Sequence, residues 1–412
     1  MKMNAYVAGV GMLPFGKHLD KTLKGLAGQA IQLALNDAGI EAGELQAAWM
    51  GNAAAGVVTG QEMIRGQVVL RGMGIGRIPV VNVENACASS STAFHQACAM
   101  VSAGYYDIVL ACGYEKLFHQ DKARSLGAFS SAVDVEDPDG ALNVVKKLAE
   151  AAGEPFDAEG AGVNRSVFMD IYAMMAKKHM KQYGTRVEHF AMVTAKNSFH
   201  GSLNPRAQFR DELSVQHVLA ARQIIDPLTL PMCSPLGDGA AAVILVSERK
   251  ARQLGLRNPV RVAASALVSG WDFDNPEDSV GALAAEQAYQ SAGFGPQDLS
   301  CVELHDASAP SEIQAYEYLG LCPRGEGGAL IESGATRLGG RIPVNTSGGL
   351  LRKGHPIGAT GCAQIVELTE QLQGRAEARQ VQGARIGLAH NGGGAIGLDA
   401  AATVVSILVR DN

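Results

Sequence analysis

The chain has 412 residues, of which 47% are hydrophobic and 18% charged, with a formal net charge of −6. This composition is typical of a globular protein, and the negative charge argues against nucleic-acid binding, which needs a strongly basic surface. No apolar run of about 18 residues predicts a membrane span, and the first residues lack the pattern of a signal peptide. The seven cysteines include no CxxC pair, so we expect neither a zinc cluster nor a disulfide framework, and we expect a cytoplasmic protein.

Taken in chain order, the predicted elements repeat. Residues 34–52 and 288–306 both run from a helix end through an Ala-Gly break and an acidic turn to a short apolar strand, at an offset of 254 residues. Further along, IVLACG at 108–113 resembles IGLAHN at 386–391 as a buried strand. The order of these features predicts an internal duplication. Each half alternates strands and helices, which favours an α/β fold with helices packed on a mostly parallel sheet.

Residues 115–235 interrupt the repeat, because they have no counterpart in the C-terminal half and are richer in charge and in helical pattern. We therefore predict a first half made of residues 1–114 and 236–258, and a second half over residues 259–412. The segment between the two parts of the first half is expected to be a substrate-binding loop domain. Near the C-terminus, HNGGGAIG predicts a turn that feeds one last strand.

Cys87 is the first candidate for chemistry. It lies between a strand-like run and an amphipathic helix, and small residues follow it that let another chain segment or a ligand approach closely. A helix N-terminus carries a positive partial charge, which favours a thiolate and is expected to lower the pKa of this thiol. Cys87 is therefore predicted to be a nucleophile, whereas Cys98 and Cys112 fit buried structural roles.

Three histidines lie at bends or strand ends, where open α/β sheets place their sites. His355 stands in NTSGGLLRKGHPIGATG, a glycine-rich bend before a helix, where a neutral imidazole is able to accept the thiol proton. His305 follows an apolar strand and starts the segment HDASAPSEIQAYEYLG. His390 and Asn391 follow another strand and precede three glycines, where backbone N–H groups, that of Gly393 among them, are expected to form an oxyanion hole.

Together, NACASSS, NTSGGLLRKGHPIGATG, LGDGAAAVILVSERKA and HNGGG resemble the thiolase family over nearly the whole chain. Among its members, the chain is most similar to the thiolases related to sterol carrier protein 2. The resemblance implies the thiolase fold, with two similar βαβαβ-type halves in a five-layered α-β-α-β-α core and a CoA-binding loop domain. It also implies a homodimer and coenzyme A as co-substrate, with no metal and no permanently bound cofactor.

Carried over by motif, the resemblance implies Cys87 as the nucleophile, His355 as the base for this thiol and for the thiol of CoA, and His305 as the group that polarises the thioester oxygen. His390 stands where many thiolases have a second, acid–base cysteine. The related branch often has a cysteine directly after the His-Asp pair instead, but Ala307 occupies that position here. Because neither thiol is present, His390 or His305 is predicted to carry the second proton.

Substrate contacts are predicted from two places. Ser347 and Gly348 belong to the glycine-rich bend that holds His355. Lys177 and Lys178 lie in the helical segment FMDIYAMMAKKHMKQYG of the loop domain, where they are expected to meet the phosphates of CoA.

The activity implied is thiolytic cleavage of a 3-oxoacyl-CoA, or the reverse Claisen condensation, through an acyl group on Cys87. The His-Asp-Ala version of the motif also resembles thiolases that act with a small OB-fold/zinc-ribbon subunit (DUF35-type). Some of these make acetoacetyl units, and others cleave aromatic ketoacyl-CoA such as benzoylsuccinyl-CoA. Two alternatives remain open at this point: a retro-aldolase on the same fold, which needs no acyl-enzyme, and a non-catalytic protein that binds acyl-CoA or lipid.

Overall fold

The computed structural model of the protein describes residues 2–137, 139–156, 160–161, 165–271 and 278–411. None of the helices within these ranges combines the length and the apolar character that crossing a bilayer requires. The strands are β1 (Lys2–Met12), β2 (Ala47–Gly51), β3 (Val80–Val83), β4 (Ile108–Glu115), β5 (Gln223–Ile225), β6 (Leu228–Thr229), β7 (Gly239–Ser247), β8 (Val260–Ser269), β9 (Cys301–Glu303), β10 (Ile386–Gly393) and β11 (Ala402–Arg410). The helices are α1 (Leu23–Ala38), α2 (Ala55–Thr59), α3 (Arg65–Gly72), α4 (Ser89–Ser102), α5 (Lys122–Ser130), α6 (Gly140–Ala152), α7 (Val167–Tyr183), α8 (Val187–Ser202), α9 (Val215–Ala220), α10 (Glu248–Leu254), α11 (Val280–Ala292), α12 (Ala309–Tyr318), α13 (Gly327–Glu332), α14 (Gly349–Arg352) and α15 (Thr360–Gln373).

The strand order confirms the internal duplication. Nine strands form one sheet in the order β3-β2-β4-β7-β1-β8-β11-β10-β9, so that β2-β4-β7-β1 of the first half corresponds to β9-β10-β11-β8 of the second. The expectation of a mostly parallel sheet is wrong. Only β2 with β3, β2 with β4, and β9 with β10 are parallel, while β7 and β11 run antiparallel to both of their neighbours. Buried strands are apolar on both faces in either direction, so their sequences do not reveal the direction of the strand.

The helix after the first strand of each half explains why the repeat is visible in the sequence. The hydroxyl of Thr22 caps α1 by accepting a hydrogen bond from the backbone N–H of Gly25, and Ser279 caps α11 in the same manner. The two helices end at Gly39 and Gly293, which adopt left-handed backbone conformations with φ of 62° and 75°. This conformation favours glycine, so the repeated Ala-Gly break is a pair of matching helix ends.

The two halves enclose a buried middle layer of helices. Helices α4 and α15 contact each other and strands of both halves, and one apolar cluster contains side chains from all of them. Helix α1 packs on the outer face of the first half, and α11 packs on the outer face of the second half. These layers form the predicted α-β-α-β-α arrangement. Phe94 of α4 is fully buried in the middle layer, where burial of such a side chain stabilises the fold by about 1.5–3 kcal/mol.

The chain between β4 and β7 forms a separate group of elements. Within the described ranges it comprises α5 to α9 and the β5-β6 hairpin, and it adds no strand to the nine-stranded sheet. Helices α7 and α8 pack against α12 of the second half. The chain then returns to the first half as β7, which pairs with β4 and β1.

Candidate active site

Three of the side chains predicted from separate motifs meet at one point. Cys87 lies in a short 3₁₀ turn, Ala86–Ala88, between β3 and α4. His305 follows β9, and His355 precedes the turn that leads into α15. The thiol sulfur and one ring nitrogen of each histidine lie within 4.8 Å of one another. The two imidazole rings meet edge to face, with their centroids 5.1 Å apart.

Close contact between α4 and α15 positions the nucleophile beside its base. The backbone N–H of Cys362 donates to the hydroxyl of Ser90, with 3.1 Å between N and Oγ. A Cβ atom added at Gly361 would lie 2.0 Å from the hydroxyl oxygen of Ser91, so this contact requires glycine. The small residues that follow Cys87 therefore allow another chain segment to approach, as the sequence predicted, and that segment is the start of α15.

The thiol of Cys87 does not have the lowered pKa that its position before a helix predicted. Burial raises the pKa of Cys87 to about 12, and the nearby carboxyl group of Glu115 adds to this effect. The backbone N–H groups of Gly394 and of Cys87 itself act in the opposite direction but do not outweigh burial. The cost of removing a thiolate from water is thus larger than its stabilisation by the helix N-terminus. The resting residue is therefore a thiol, which needs a base before it can act as a nucleophile.

His355 has the geometry of such a base. Its Nδ1 lies 2.7 Å from the hydroxyl oxygen of Thr360, and this hydroxyl donates in turn to the carbonyl oxygen of Pro356 at 3.2 Å. The hydroxyl therefore accepts from Nδ1–H, which leaves the lone pair of the neutral imidazole on Nε2. Burial lowers the pKa of His355 well below its usual value, and His305 and Lys353 lower it further.

The side chains of His305 and Asp306 differ in their hydrogen bonding. The Asp306 carboxylate accepts hydrogen bonds from the backbone N–H of Leu350 at 2.7 Å and from the side chain of Asn197 at 2.8 Å, which holds the turn against α14. Nδ1 of His305 is buried and has no hydrogen-bond partner among the described residues. Burial lowers the pKa of His305 to about 4, and the side chain of Asn391 acts in the opposite direction.

His390 and Asn391 lie inside β10 and not after it, because the strand continues to Gly393 in its pairing with β11. The side chain of Gln364 donates to the carbonyl oxygen of His390 at 3.0 Å and accepts from Asn391 at 3.4 Å. Burial lowers the pKa of His390 to about 3, and His305 lowers it further. Both predicted residues are therefore held beside His305 by the strand and by α15.

The glycine run after His390 brings backbone close to the turn that holds the nucleophile. A Cβ atom at Gly393 would lie 2.2 Å from the carbonyl oxygen of Asn85, so only glycine allows β10 to pass this turn. The N–H group that interacts with the Cys87 thiol is that of Gly394, one residue later than Gly393. Gly394 has a φ of 66°, a left-handed conformation.

Ser347 and Gly348 have their observed contacts with the core and not with Cys87. The hydroxyl of Ser347 donates to a carboxylate oxygen of Glu303 at 2.5 Å, and the side chain is fully buried. Gly348 has a φ of 99°, and a Cβ atom there would lie 2.8 Å from the Cα of Gly201 in α8. These contacts set the path of the chain that leads to His355.

Lys177 and Lys178 lie on α7. Lys177 is paired with Glu154 at 3.1 Å and with Asp226 at 2.8 Å, in a groove of about 890 Å³. Lys178 is partly exposed beside it. A phosphate group at Lys177 would have to compete with two carboxylates that already neutralise its charge.

Two tyrosines near the site were missed by the sequence analysis. The ring of Tyr318 at the end of α12 meets the ring of His390 with centroids 5.2 Å apart, and its hydroxyl oxygen lies 3.4 Å from Nε2. Tyr172 of α7 is close enough to Cys87 that a charge there adds to the effect of burial in raising the pKa of Tyr172. Tyr318 stands in the segment HDASAPSEIQAYEYLG and Tyr172 in FMDIYAMMAKKHMKQYG, but nothing next to them in the chain marks a tyrosine as part of a site. Thr360 likewise lay within the GHPIGATG block, where His355 was the residue singled out.

Comparisons with known proteins identify the family of the chain. Two family models match, the thiolase N-terminal domain over residues 5–226 and the thiolase C-terminal domain-like family over residues 274–408. An acetyl-CoA acetyltransferase of Methanothermobacter thermautotrophicus is 40% identical, covering 94% of this chain and 96% of that protein. The benzoylsuccinyl-CoA thiolase subunit BbsB of Thauera aromatica is 36% identical, with 96% of each chain covered. Sterol carrier protein 2 of Rattus norvegicus is 37% identical, covering 97% of this chain and 71% of that protein.

Solved structures confirm the fold. The Ltp2-ChsH2(DUF35) aldolase superposes with a TM-score of 0.80 at 24% identity, covering 100% of this chain and 99% of that one. The Acat5 thiolase from Ascaris suum, in complex with coenzyme A, superposes with a TM-score of 0.69 at 17% identity, covering 99% and 100%. The chain therefore belongs to the thiolase superfamily, in the branch related to sterol carrier protein 2, and is an acyltransferase of the thiolase class.

Proposed function

We propose that the chain transfers an acyl group between coenzyme A thioesters through a thioester on Cys87. The proposal rests on the meeting of the Cys87 thiol with the ring nitrogens of His305 and His355 within 4.8 Å. His355 accepts the thiol proton on Nε2, because Thr360 holds its Nδ1–H. The lowered pKa of His355 keeps the ring neutral at neutral pH, which is the form that accepts a proton.

In the cleavage direction, the thiolate of Cys87 attacks the ketone carbon of a 3-oxoacyl-CoA. The bond from this carbon to the α-carbon breaks, and the shorter acyl-CoA leaves as an enolate that must gain a proton. The thiol of a second CoA then attacks the acyl group on Cys87, loses its proton and carries the acyl group away, so that CoA is a co-substrate. Condensation follows the same steps in reverse. The names of the relatives suggest two types of substrate, one with an acetyl unit and one with an aromatic ketoacyl unit.

Both steps build negative charge on an oxygen atom, and the site holds donors for each. One ring nitrogen of His305 lies within 4.8 Å of the Cys87 sulfur, which suits it to bind the thioester oxygen of the enolate. The backbone N–H groups of Cys87 and Gly394 lie beside the thiol, where the oxygen of the tetrahedral intermediate would form. Gly393 and Asn391 support these donors. Gly393 allows β10 to pass close to the backbone of Asn85, and the side chain of Asn391 interacts with His305.

The division into domains follows the strand order. We assign residues 1–114 and 236–258 to the first half, 259–412 to the second, and 115–235 to a loop domain that contributes to the binding of CoA. Support comes from β7, which rejoins the strands of the first half after the helical segment. Tyr172 lies on α7 of this segment and close to Cys87, which brings the segment to the site.

We propose that the edge strand β3 pairs with a second copy of the chain. This strand ends the nine-stranded sheet and leaves Val81 40% exposed. Met63 and Ile64, just before α3, are 76% and 60% exposed. An unpaired edge next to apolar side chains is a template for strand pairing, which supports a homodimer across β3.

We also propose a small OB-fold/zinc-ribbon subunit as a further partner and the cytoplasm as the compartment. The aldolase with a TM-score of 0.80 contains a DUF35 component, which supports the first point. All seven cysteines are free thiols, which supports a reducing compartment.

Intact-protein mass spectrometry tests the acyl-enzyme after brief exposure to acetyl-CoA and to a panel of 3-oxoacyl-CoA thioesters. We expect one acyl group per chain, mapped to Cys87 and removed by free CoA. Cys87→Ser should abolish the adduct and the turnover, while Cys322→Ser, which removes another partly buried thiol, should retain both. Turnover that survives in Cys87→Ser would instead indicate retro-aldol cleavage, and binding of thioesters without turnover would indicate a carrier.

A further inference from the structure

The enolate formed in the proposed reaction needs an acid, and neither histidine predicted for this role is one. Burial lowers the pKa of His390 to about 3 and that of His305 to about 4, so both rings are neutral at neutral pH. Each neutral ring carries one N–H proton, and in the proposed reaction that of His305 binds the thioester oxygen. The donor of the proton to the α-carbon is therefore sought next to His390, and its identity rests on the proposed function.

His390 is held in one tautomer by its neighbours. Its Nδ1 lies 3.4 Å from the backbone nitrogen of His305, whose N–H donates to it, so the ring proton is on Nε2. This Nε2 lies 3.4 Å from the hydroxyl oxygen of Tyr318. The Nε2–H consequently donates to the phenol oxygen, and the hydrogen of the phenol is free to point to a different acceptor.

Tyr318 reaches this position because α12 begins just after the His305 turn and ends at Tyr318. A continuous series of contacts leads from the nucleophile to the phenol. It runs from the sulfur of Cys87 to the ring of His305, from the backbone of His305 to His390, and from His390 to Tyr318. Tyr172 lies near both ends of this series. Burial raises the pKa of Tyr172, and a charge on Cys87 raises it further. Burial likewise raises the pKa of Tyr318, and a charge on Tyr172 adds to this effect.

We propose that Tyr318 is the acid–base residue that takes the place of the missing second cysteine, and that His390 positions it. During cleavage, the electron pair left on the α-carbon by the broken C–C bond takes the hydrogen of the Tyr318 hydroxyl. A C–H bond forms, the O–H bond breaks, and the Nε2–H of His390 stabilises the resulting phenolate. The phenolate then takes the proton of the incoming CoA thiol as its sulfur attacks the acyl group on Cys87. The released Cys87 thiolate recovers its proton from His355.

The acid strength of a buried phenol suits this step. Burial raises the pKa of Tyr318 well above its usual value, so the hydroxyl stays protonated in the resting protein. The α-carbon beside a thioester is a weaker acid than a phenol, so transfer of the proton to the enolate is favourable. In the reverse direction, the phenolate is a strong enough base to remove that proton once the substrate is bound.

The test compares two reactions of acetyl-CoA on the same protein. Exchange of its methyl hydrogens in D₂O needs the acid–base residue at the α-carbon, whereas acylation of Cys87 does not, because a thiolate leaves readily without a proton. Tyr318→Phe keeps the ring against His390. It is expected to slow the exchange by at least about 100-fold and to change the acylation rate by less than about tenfold. The exchange is followed by NMR and the acylation by intact mass.

Tyr289→Phe is the matched control, because it removes a hydroxyl that donates to the carbonyl oxygen of Leu319, next to Tyr318 in the chain, at 2.8 Å. It should leave exchange and acylation unchanged. Exchange at the wild-type rate in Tyr318→Phe would overturn the role of Tyr318, and so would equal losses of exchange and acylation. A wild-type protein that acylates without exchange would overturn it as well. A wild-type protein that does not acylate would overturn the proposed function, and this inference with it.

Discussion

The hydroxyl oxygen of Ser90 lies 3.1 Å from the backbone nitrogen of Cys362, and this hydrogen bond joins the helix after the nucleophile to the helix after the base. Ser90 stands three residues after Cys87, and Cys362 stands seven residues after His355. The two helices come from different halves of the duplicated chain. Their contact therefore holds the turn of the thiol beside the turn of the imidazole, and Gly361 at this contact leaves no room for a side chain.

Gly361→Ala is expected to separate these two helices. The added Cβ would lie 2.0 Å from the Ser91 hydroxyl oxygen and 2.5 Å from its backbone nitrogen. We expect the free energy of unfolding to fall by about 1–3 kcal/mol and acylation of Cys87 to slow by at least about tenfold, measured by urea unfolding and intact mass. Gly127→Ala is the control, because Gly127 lies in α5 with open space around its Cα. Equal behaviour of the two variants would contradict the role of the contact.

Thr360→Val is expected to release His355 from its tautomer. Without the hydroxyl that accepts from Nδ1–H, the ring is free to place its proton on either nitrogen or to rotate. We expect acylation of Cys87 to slow by about 10–100-fold, while the melting temperature changes little. Thr369→Val, on the same helix, removes a buried hydroxyl without a hydrogen-bond partner among the described residues and should leave acylation unchanged. An acylation rate in Thr360→Val equal to that of Thr369→Val would rule out this positioning role.

The raised pKa of Cys87, about 12, predicts a particular pH profile for alkylation by iodoacetamide in the absence of substrate. Since the thiolate reacts, a raised pKa means that little of the reactive form is present at neutral pH. The alkylation rate at Cys87 should rise by about tenfold per pH unit up to the highest pH at which the protein stays folded. Site-resolved peptide mapping measures it, with a cysteine peptide as reference. A rate that stops rising below pH 8 would show that the helix N-terminus lowers the pKa of Cys87 by more than burial raises it.

Val81→Lys tests the proposed dimer. A charge on the exposed face of β3 disfavours pairing of this edge with a second copy, so we expect a monomer by light scattering coupled to size-exclusion chromatography. Leu33→Lys is the control, since Leu33 is similarly exposed (44%) but lies on α1. A wild-type monomer, or a Val81→Lys variant that stays dimeric, would count against β3 as the interface.

Sequence reasoning predicted Cys87, His305 and His355, which the structure brings together, because each stands next to a local signal: small residues before a helix, a His-Asp pair after a strand, or a glycine-rich bend. The repeat was visible for the same reason, since matching helix ends need matching residues at Gly39 and Gly293. These features depend on neighbours in the chain, which the sequence shows directly.

What sequence reasoning missed depends on distant packing. The pKa of Cys87 follows from burial by other parts of the fold and from Glu115, neither of which the residues around Cys87 reveal. Tyr318 meets His390 across 72 residues of chain, and no spacing rule connects the two. The directions of β7 and β11 were missed because a buried strand is apolar in either orientation.

The duplicated architecture divides the proposed reacting groups between the two halves. The turn before α4 carries the nucleophile, while the corresponding helix α15 follows the base. Neither half holds all of the groups, because Cys87 belongs to the first and His305, His355 and His390 belong to the second. The site is therefore itself an interface, and a substitution that shifts the packing of one half displaces the groups of the other.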